Sequence, residues 1–409
     1  MKTFNTSTPK KIKKFRLLLV VSNFSMLNIF RSNTKFICLF LLVSLITIAG
    51  CNTLNQKPEY FKAEGCKDIG ILLPATGGEA GRWEQYDRHF LEKGIIDKIK
   101  GVTIRYFNAN SQEGVQEQQA NLALKGGSCI LIVAAVDGKE GINIVKKAKN
   151  QGVPVIAYDR LIEDKDLNCY ISFDSKKVGE FQANYVMDKL SKGENGIYKL
   201  KPGANFVMIN GDKKDPNTTA IEEGWSIRLG SYFDDENDGK LNPIFPKDKN
   251  DKNNKIHFID RWDSTKAEKK VQELLKKHQN NIQIILVAND GMANKIIGSL
   301  GDKKGKILIT GQDGSPQSAR NIVRGYQGIT IYKPSKILAE KTVELVVALS
   351  NGKITRDIIK NDIKTKDGSK IPSILLTPKP VTKDNISILI EDGIVSKQNL
   401  CQGIQGICP

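Results

Sequence analysis

Short apolar runs of strand length alternate with longer amphipathic segments through most of this chain. Residues 69–73, 102–107, 129–133, 155–158 and 170–173 predict strands, and the segments 82–99, 112–125 and 141–151 between them carry helical apolar spacing. A second set follows Asp174. It comprises helices over 178–190, 218–233 and 265–278, with strands at 205–209 and 256–259 and in the runs ending before Asn289, Gln312 and Lys333. This order predicts an α/β fold of βαβ units and parallel sheets. The strand runs are apolar on both faces, as expected where helices cover a sheet on both sides. Pro216, Pro316 and Pro334 each follow a strand near a helix start, where proline is tolerated. About 340 residues after the first 67 exceed one comfortable core and suggest two domains.

Four strands run directly into polar side chains: Tyr158 into Asp159-Arg160, Ala288 into Asn289-Asp290, Gly311 into Gln312-Asp313, and Tyr332 into Lys333-Pro334. In open α/β sheets ligands sit outside the carboxyl ends of the strands. Several carboxylates, an amide, a guanidinium and an ammonium are thus aimed at one crevice. That mixture suits a neutral, polyhydroxylated ligand.

The front of the chain bears on location. Residues 1–50 hold eight Lys and Arg and no Asp or Glu, then an apolar stretch over 36–49. That stretch has the length of a signal-peptide core and is short for a membrane span. It ends Ile48-Ala49-Gly50-Cys51, which resembles the bacterial lipobox, so Cys51 is the expected lipidation site. The alternatives are an uncleaved single-span anchor and a signal cut without lipid. Met26 is an alternative start, because 26–51 alone has a signal layout. Residues 51–67 read as a tether. Removing the leader lowers the net charge from +17 to +9, and the remaining Lys are scattered among acids. No basic stripe of the kind that binds nucleic acid is present.

Five cysteines remain after Cys38 and Cys51: Cys66, Cys129, Cys169, Cys401 and Cys408. Cys401 and Cys408 can bridge locally in a compartment that permits oxidation. Cys129 and Cys169 flank apolar runs and read as small buried residues. The stretch 234–255 is polar and predicts an exposed loop. Its Asp234-Asp235-Glu236-Asn237-Asp238-Gly239 has a superficial calcium-loop look, but Phe245 occupies the twelfth position, where an acid is required. His89, His257 and His278 stand apart from other ligand types, so no metal and no cofactor is expected. The glycine-rich loop after the first strand lacks the Gly-Lys-Ser/Thr of a phosphate cradle. No nucleophile elbow or His-based pair is visible, and no enzyme activity is expected.

Tyr158-Asp159-Arg160-Leu161-Ile162, then Tyr170-Ile171-Ser172-Phe173-Asp174 and Val178-Gly179-Glu180, resemble the D-xylose-binding proteins of bacterial ABC importers. So do Ala288-Asn289-Asp290, Gly311-Gln312-Asp313, Tyr332-Lys333-Pro334 and Leu375-Leu376-Thr377-Pro378. The resemblance runs in order over about 67–393. It implies a type I periplasmic binding protein: two Rossmann-like lobes with parallel sheets, joined by three crossovers near Asp174, Pro334 and Pro378. The N-terminal lobe would be 68–174 plus 335–376, the C-terminal lobe 175–334 plus 377–400, and 401–409 a tail.

The same resemblance implies the ligand set Arg82, Asp159, Arg160, Asp215, Asn217, Trp262, Asn289, Asp313 and Lys333. The residue types agree. A carboxylate accepts from adjacent hydroxyls, Arg, Lys and Asn donate back, and Trp offers a flat apolar face. Trp83 and Tyr158 would be cleft walls only, outside the ligand set. Six positions of that set also have a plainer reading. Asp159 and Arg160 could pair with one another or cap a helix, Asp215 and Asn217 could be helix caps, Trp262 could be ordinary packing, and Lys333 a solvated hinge residue. Two rim segments depart from the family: the loop 73–81, with Gly77-Gly78, and the charged turn Asn210-Gly211-Asp212-Lys213-Lys214. The implied protein is a monomeric, exported, membrane-anchored lipoprotein facing the periplasm or cell exterior. It would bind an aldopentose or aldohexose, D-xylose or a relative, and dock on an ABC permease. The alternatives are a sugar sensor of the same fold, signalling to a chemoreceptor or sensor kinase, and an extracellular sugar-acting enzyme.

Overall fold

The computed structural model describes residues 63–75, 82–112, 114–193, 196–230, 241–246, 256–353, 355–404 and 408. The leader, Cys51, most of the tether and the acidic run 234–239 lie outside the described residues. The largest sheet takes β1 (Asp68–Leu73), β2 (Thr103–Asn108), β3 (Ile130–Val133), β4 (Val155–Tyr158) and β5 (Cys169–Phe173), with β13 (Asp362–Lys364) and β14 (Lys370–Leu376) from much later in the chain. Its order is β13-β14-β5-β4-β3-β1-β2, parallel except for the edge pair β13/β14. Side chains alternate across a strand, and the core divides accordingly. Ile69, Ile71, Leu73, Ile156 and Tyr158 fill one side, while Leu72, Leu131, Val133, Val155 and Ala157 fill the other.

A second parallel sheet runs β10-β9-β6-β7, with β8 beside β6. It is built from β6 (Ala204–Asn210), β7 (Leu241–Pro243), β8 (His257–Phe258), β9 (Ile284–Val287) and β10 (Leu308–Ile309). The short strands β11 (Gln312–Asp313), β12 (Thr330–Tyr332) and β15 (Lys379–Val381) form a third sheet, with β12/β15 antiparallel. The chain leaves the large sheet after β5, returns to it after β12 and leaves again after β14. These passages fall beside Asp174, Pro334 and Pro378.

Two helices behind the second sheet touch backbone to backbone. A Cβ on Gly179 would lie 2.2 Å from the Ile221 carbonyl oxygen, and one on Gly224 would lie 2.2 Å from that of Lys176. Only glycine permits this approach of Ser175–Ser191 to Pro216–Leu229. The approach also brings the Ser175 hydroxyl 2.8 Å from Asn217 Oδ1.

Two expectations are corrected. Cys129 is disulfide-bonded to Cys66, because β1 and β3 are neighbours and the two cysteines precede them. Cys169 is free and buried as expected, and Cys401 pairs with Cys408. The tether ends sooner than its polarity suggested. Ala63 and Cys66 are buried, and the Gly65 N–H donates to the Ser350 carbonyl.

Candidate functional site

All nine residues of the expected ligand set line one cavity, together with Trp83 and Gln312. On the large-sheet side the anchor is Arg82, which opens a short π-helical turn, Trp83–Asp87. A π turn places residues five apart in register. The Arg82 guanidinium accordingly donates to both oxygens of Asp87, at 2.9 and 3.0 Å. Asp87 is fully buried and also accepts from the hydroxyls of Tyr158 and Ser335. The remaining Arg82 nitrogen reaches Asp159 at 3.4 Å and Asp313 at 3.6 Å.

Asp159 follows β4 with φ of 63°, in the left-handed region. Its carbonyl holds that turn by accepting from the Tyr170 and Ser172 hydroxyls and from Asn217 Nδ2. The carboxylate faces Arg82 and, at 3.6 Å, the Lys333 ammonium. Burial pushes this carboxyl up, but Arg82, Lys333 and Arg160 overcome it and hold it at about 2. Burial opposes charge on Arg82 as well, and Asp159 and Asp87 more than compensate, so the guanidinium stays protonated. Arg160 does not ion-pair with its neighbour Asp159. Its Nε meets Asp215 at 3.0 Å and its Nη1 donates to the Ala135 carbonyl.

The opposite side is built largely from helix N-termini. Asp215 caps Pro216–Leu229 by accepting from the Asn217 N–H, so the plainer capping reading holds alongside its place in the cavity. It also accepts from Trp262 Nε1 at 3.1 Å. Burial pushes the Asp215 carboxyl up, against the pull of Arg160. Trp262 lies flat on Gly211, where a Cβ would meet the ring at 2.2 Å. Asn289 caps Asp290–Ser299. Asp313 has φ of 102° and sends Oδ1 toward Lys333 at 3.4 Å, yet that oxygen accepts no hydrogen bond. Lys333 is 5% exposed, which excludes the solvated-hinge reading.

Arg82, Arg160 and Lys333 thus face Asp159, Asp215 and Asp313 in one cavity. The near balance of charge gives hydrogen-bond donors and acceptors without a strong preference for an anion or a cation. A larger cavity shares Arg82, Asp313 and Lys333, but its other walls are residues such as Tyr86, Tyr332 and Glu340. Among the described residues no cluster of three His, Cys, Asp or Glu could hold a metal ion. Two residues at or behind this site lie outside the expected ligand set. Asp87 lies inside a predicted helix, five residues from Arg82, and only the π turn gives that spacing a meaning. Gln312 stands in the strand-end pattern beside Asp313, but the family resemblance implies a role for Asp313 alone.

Residues 72–354 match the periplasmic binding protein domain family. The D-xylose-binding periplasmic protein of Escherichia coli is 31% identical over 342 residues, covering 83% of this chain and 94% of that protein. A multiple sugar-binding periplasmic receptor of Rhizobium radiobacter is 32% identical over 344 residues, covering 81% and 92%. Among solved structures, an ABC transporter solute binding protein from Clostridium phytofermentans with bound β-D-glucose superposes with a TM-score of 0.69 at 24% identity, covering 82% of this chain and all of that one. The chain belongs to the sugar-binding type I periplasmic binding proteins.

Proposed function

We propose that this protein is an extracytoplasmic, lipid-anchored monosaccharide receptor that hands D-xylose or a related aldose to an ABC import permease. The observation that carries the reading is the convergence of Arg82, Asp159 and Arg160 with Asn217, Asn289 and Asp313 on one charge-balanced cavity. Hydrogen bonds to charged groups contribute roughly 1.5–3 kcal/mol each. A few of them, net of desolvation and ordering, are enough for micromolar binding. The lobes are 68–174 with 335–376 and 175–334 with 377–400. Sugar bridging them favours a closed form by population shift, and the closed form docks on the permease as a monomer. The relatives are binding proteins, which supports a receptor over an enzyme. Lipid on Cys51 supplies the anchor, and two disulfides in the folded part suit an oxidising exterior.

Calorimetry of the soluble domain against a panel of aldopentoses and aldohexoses tests the reading. One or more aldoses are expected to bind, and Asp313→Ala to lose at least tenfold in affinity, about 1.4 kcal/mol. No heat from any aldose, or turnover of the bound sugar, removes the proposal. Cys51→Ser is expected to abolish incorporation of labelled lipid. Similarity to the multiple sugar-binding receptor keeps one second reading, a sensor of the same fold. Growth of a deletion strain on limiting sugar separates the two, since loss of sensing alone leaves uptake intact.

A further inference from the structure

We infer that Gln312 is a further ligand contact, whose side-chain amide accepts a hydrogen bond from a sugar hydroxyl. The inference rests on the receptor reading above. Gln312 is 4% exposed and lines the same cavity as Asp159, Asn289 and Asp313. Its Oε1 is buried and has no hydrogen-bond partner. Buried polar groups are nearly always paired, and one that is not calls for an explanation.

Other buried glutamines show what a structural role looks like in this fold. Gln182 donates to the Val287, Ala288 and Gly311 carbonyls and accepts from Trp225 Nε1. Gln116 donates to the Ala134 carbonyl and accepts from the Val136 N–H. Both tie segments of backbone together with donor and acceptor engaged, and Gln327, whose Oε1 is likewise unpaired, still donates through its amide to Asp290 and to the Ile329 carbonyl. Gln312 braces nothing of this kind, although its backbone is held in register opposite Ile331.

The next residue has the same character. Asp313 Oδ1 is also buried without a hydrogen bond, although two cations stand within 3.6 Å of it. Two consecutive residues that line the cavity thus each carry a buried acceptor without a hydrogen bond. Neighbouring hydroxyls of a neutral sugar can donate to both. A sugar acid or sugar phosphate would set its own anionic oxygens against these acceptors, so the pair favours a neutral, hydroxyl-bearing sugar.

The test is calorimetry with D-xylose and its 2-, 3- and 4-monodeoxy analogues on wild type, Gln312→Met and Asp313→Ala. Gln312→Met keeps the chain length and removes the amide. It is expected to lose at least tenfold in affinity for D-xylose. One deoxy analogue is expected to bind wild type at least tenfold more weakly than D-xylose does, yet bind Gln312→Met no more weakly than D-xylose binds that variant. A residue that only supports the fold would weaken all four sugars by one factor. Gln312→Glu keeps an acceptor and, should Gln312→Met not fold, is read against the same series: it is expected to keep the wild-type deoxy pattern. Wild-type affinity in Gln312→Met, a uniform loss across the series, or loss of the pattern in Gln312→Glu overturns the inference. If Asp313→Ala is weakened while Gln312→Met is not, only this inference falls. If wild type binds no aldose, the receptor reading falls and takes this inference with it.

Discussion

The two walls of the cavity are built on different principles. On the large-sheet side, Arg82 is locked by Asp87, and Asp87 is held in turn by Tyr158 and Ser335. The groups that face the cavity there are positioned by other buried charges. On the opposite side, Asp215 and Asn289 are fixed by capping their own helices, while Gln312 Oε1 and Asp313 Oδ1 accept no hydrogen bond. One wall is braced before any ligand arrives, and the other is left with unsatisfied capacity. Substitutions behind the first should act through folding and positioning, and substitutions on the second chiefly through affinity.

The sharpest way to break this contrast is Asp87→Ala. Removing one partner of a buried ion pair leaves the other charge uncompensated, at a cost of about 3–5 kcal/mol. Denaturant unfolding should show a loss of that size, larger than for any single substitution on the opposite wall. A loss below about 1 kcal/mol would mean that Arg82 finds equal support from Asp159 and Asp313, and the contrast would dissolve.

Two carboxyl groups carry the same contrast into pH dependence. Asp159, among cations, is held at about 2. Its contribution to stability is present above the unfolded value near 4 and is lost as pH falls through about 2. Asp290 is pushed up to about 7, chiefly by burial and further by the charge of Asp313. Its side-chain partners are neutral: the Ser315 N–H, the Gln327 amide and the Thr330 hydroxyl. Between about pH 4 and 7 the folded chain keeps a proton on Asp290 that the unfolded chain has released. Stability therefore declines as pH rises through that window, by roughly 2–4 kcal/mol. Thermal melts across pH should show this decline in wild type and a flatter profile in Asp290→Asn. Equal slopes in the two proteins would refute the assignment.

How far the sequence foretold this arrangement depended on whether a signal was local. Residues 155–158 form a strand with the bounds read from the sequence, and 69–73 gains only Asp68. Each strand is short and apolar on both faces, so neighbouring residues suffice to mark it. The strand-end pattern alone found Asp159, Arg160, Asn289, Asp313 and Lys333. Arg82, Asp215, Asn217 and Trp262 needed the family resemblance, because each sits in a loop or at a helix start, where polar residues are common for other reasons. Asp87 was hidden because its partner is five residues away, off the usual helical spacing. The Cys66–Cys129 bridge was hidden because only the pairing of β1 with β3 brings those residues together.

A smaller effect tests the cap side of the comparison. Asn289→Ala removes a cap that accepts from the Met292 N–H, at a cost of about 1 kcal/mol in stability. Sugar affinity should fall by about tenfold, or 1.4 kcal/mol, measured by calorimetry on protein that is still fully folded. A loss of stability with unchanged affinity would make Asn289 a cap and nothing more.

The least effect is expected at the rim, where the charged turn that departs from the family meets the large-sheet side. Lys214 lies 3.7 Å from Asp137, the cap of the helix Gly138–Lys149, and the lysine is about half exposed. An exposed pair of this kind contributes 0–1 kcal/mol and is screened by salt. Lys214→Ala should therefore shift sugar affinity less than about fivefold, and the shift should shrink as salt is raised. The braced core of the large-sheet wall would be unaffected, so the denaturant midpoint should stay near that of wild type. A larger, salt-insensitive loss would mean that the turn holds the two walls together by more than charge. The comparison would then have to include the rim as a third structural element.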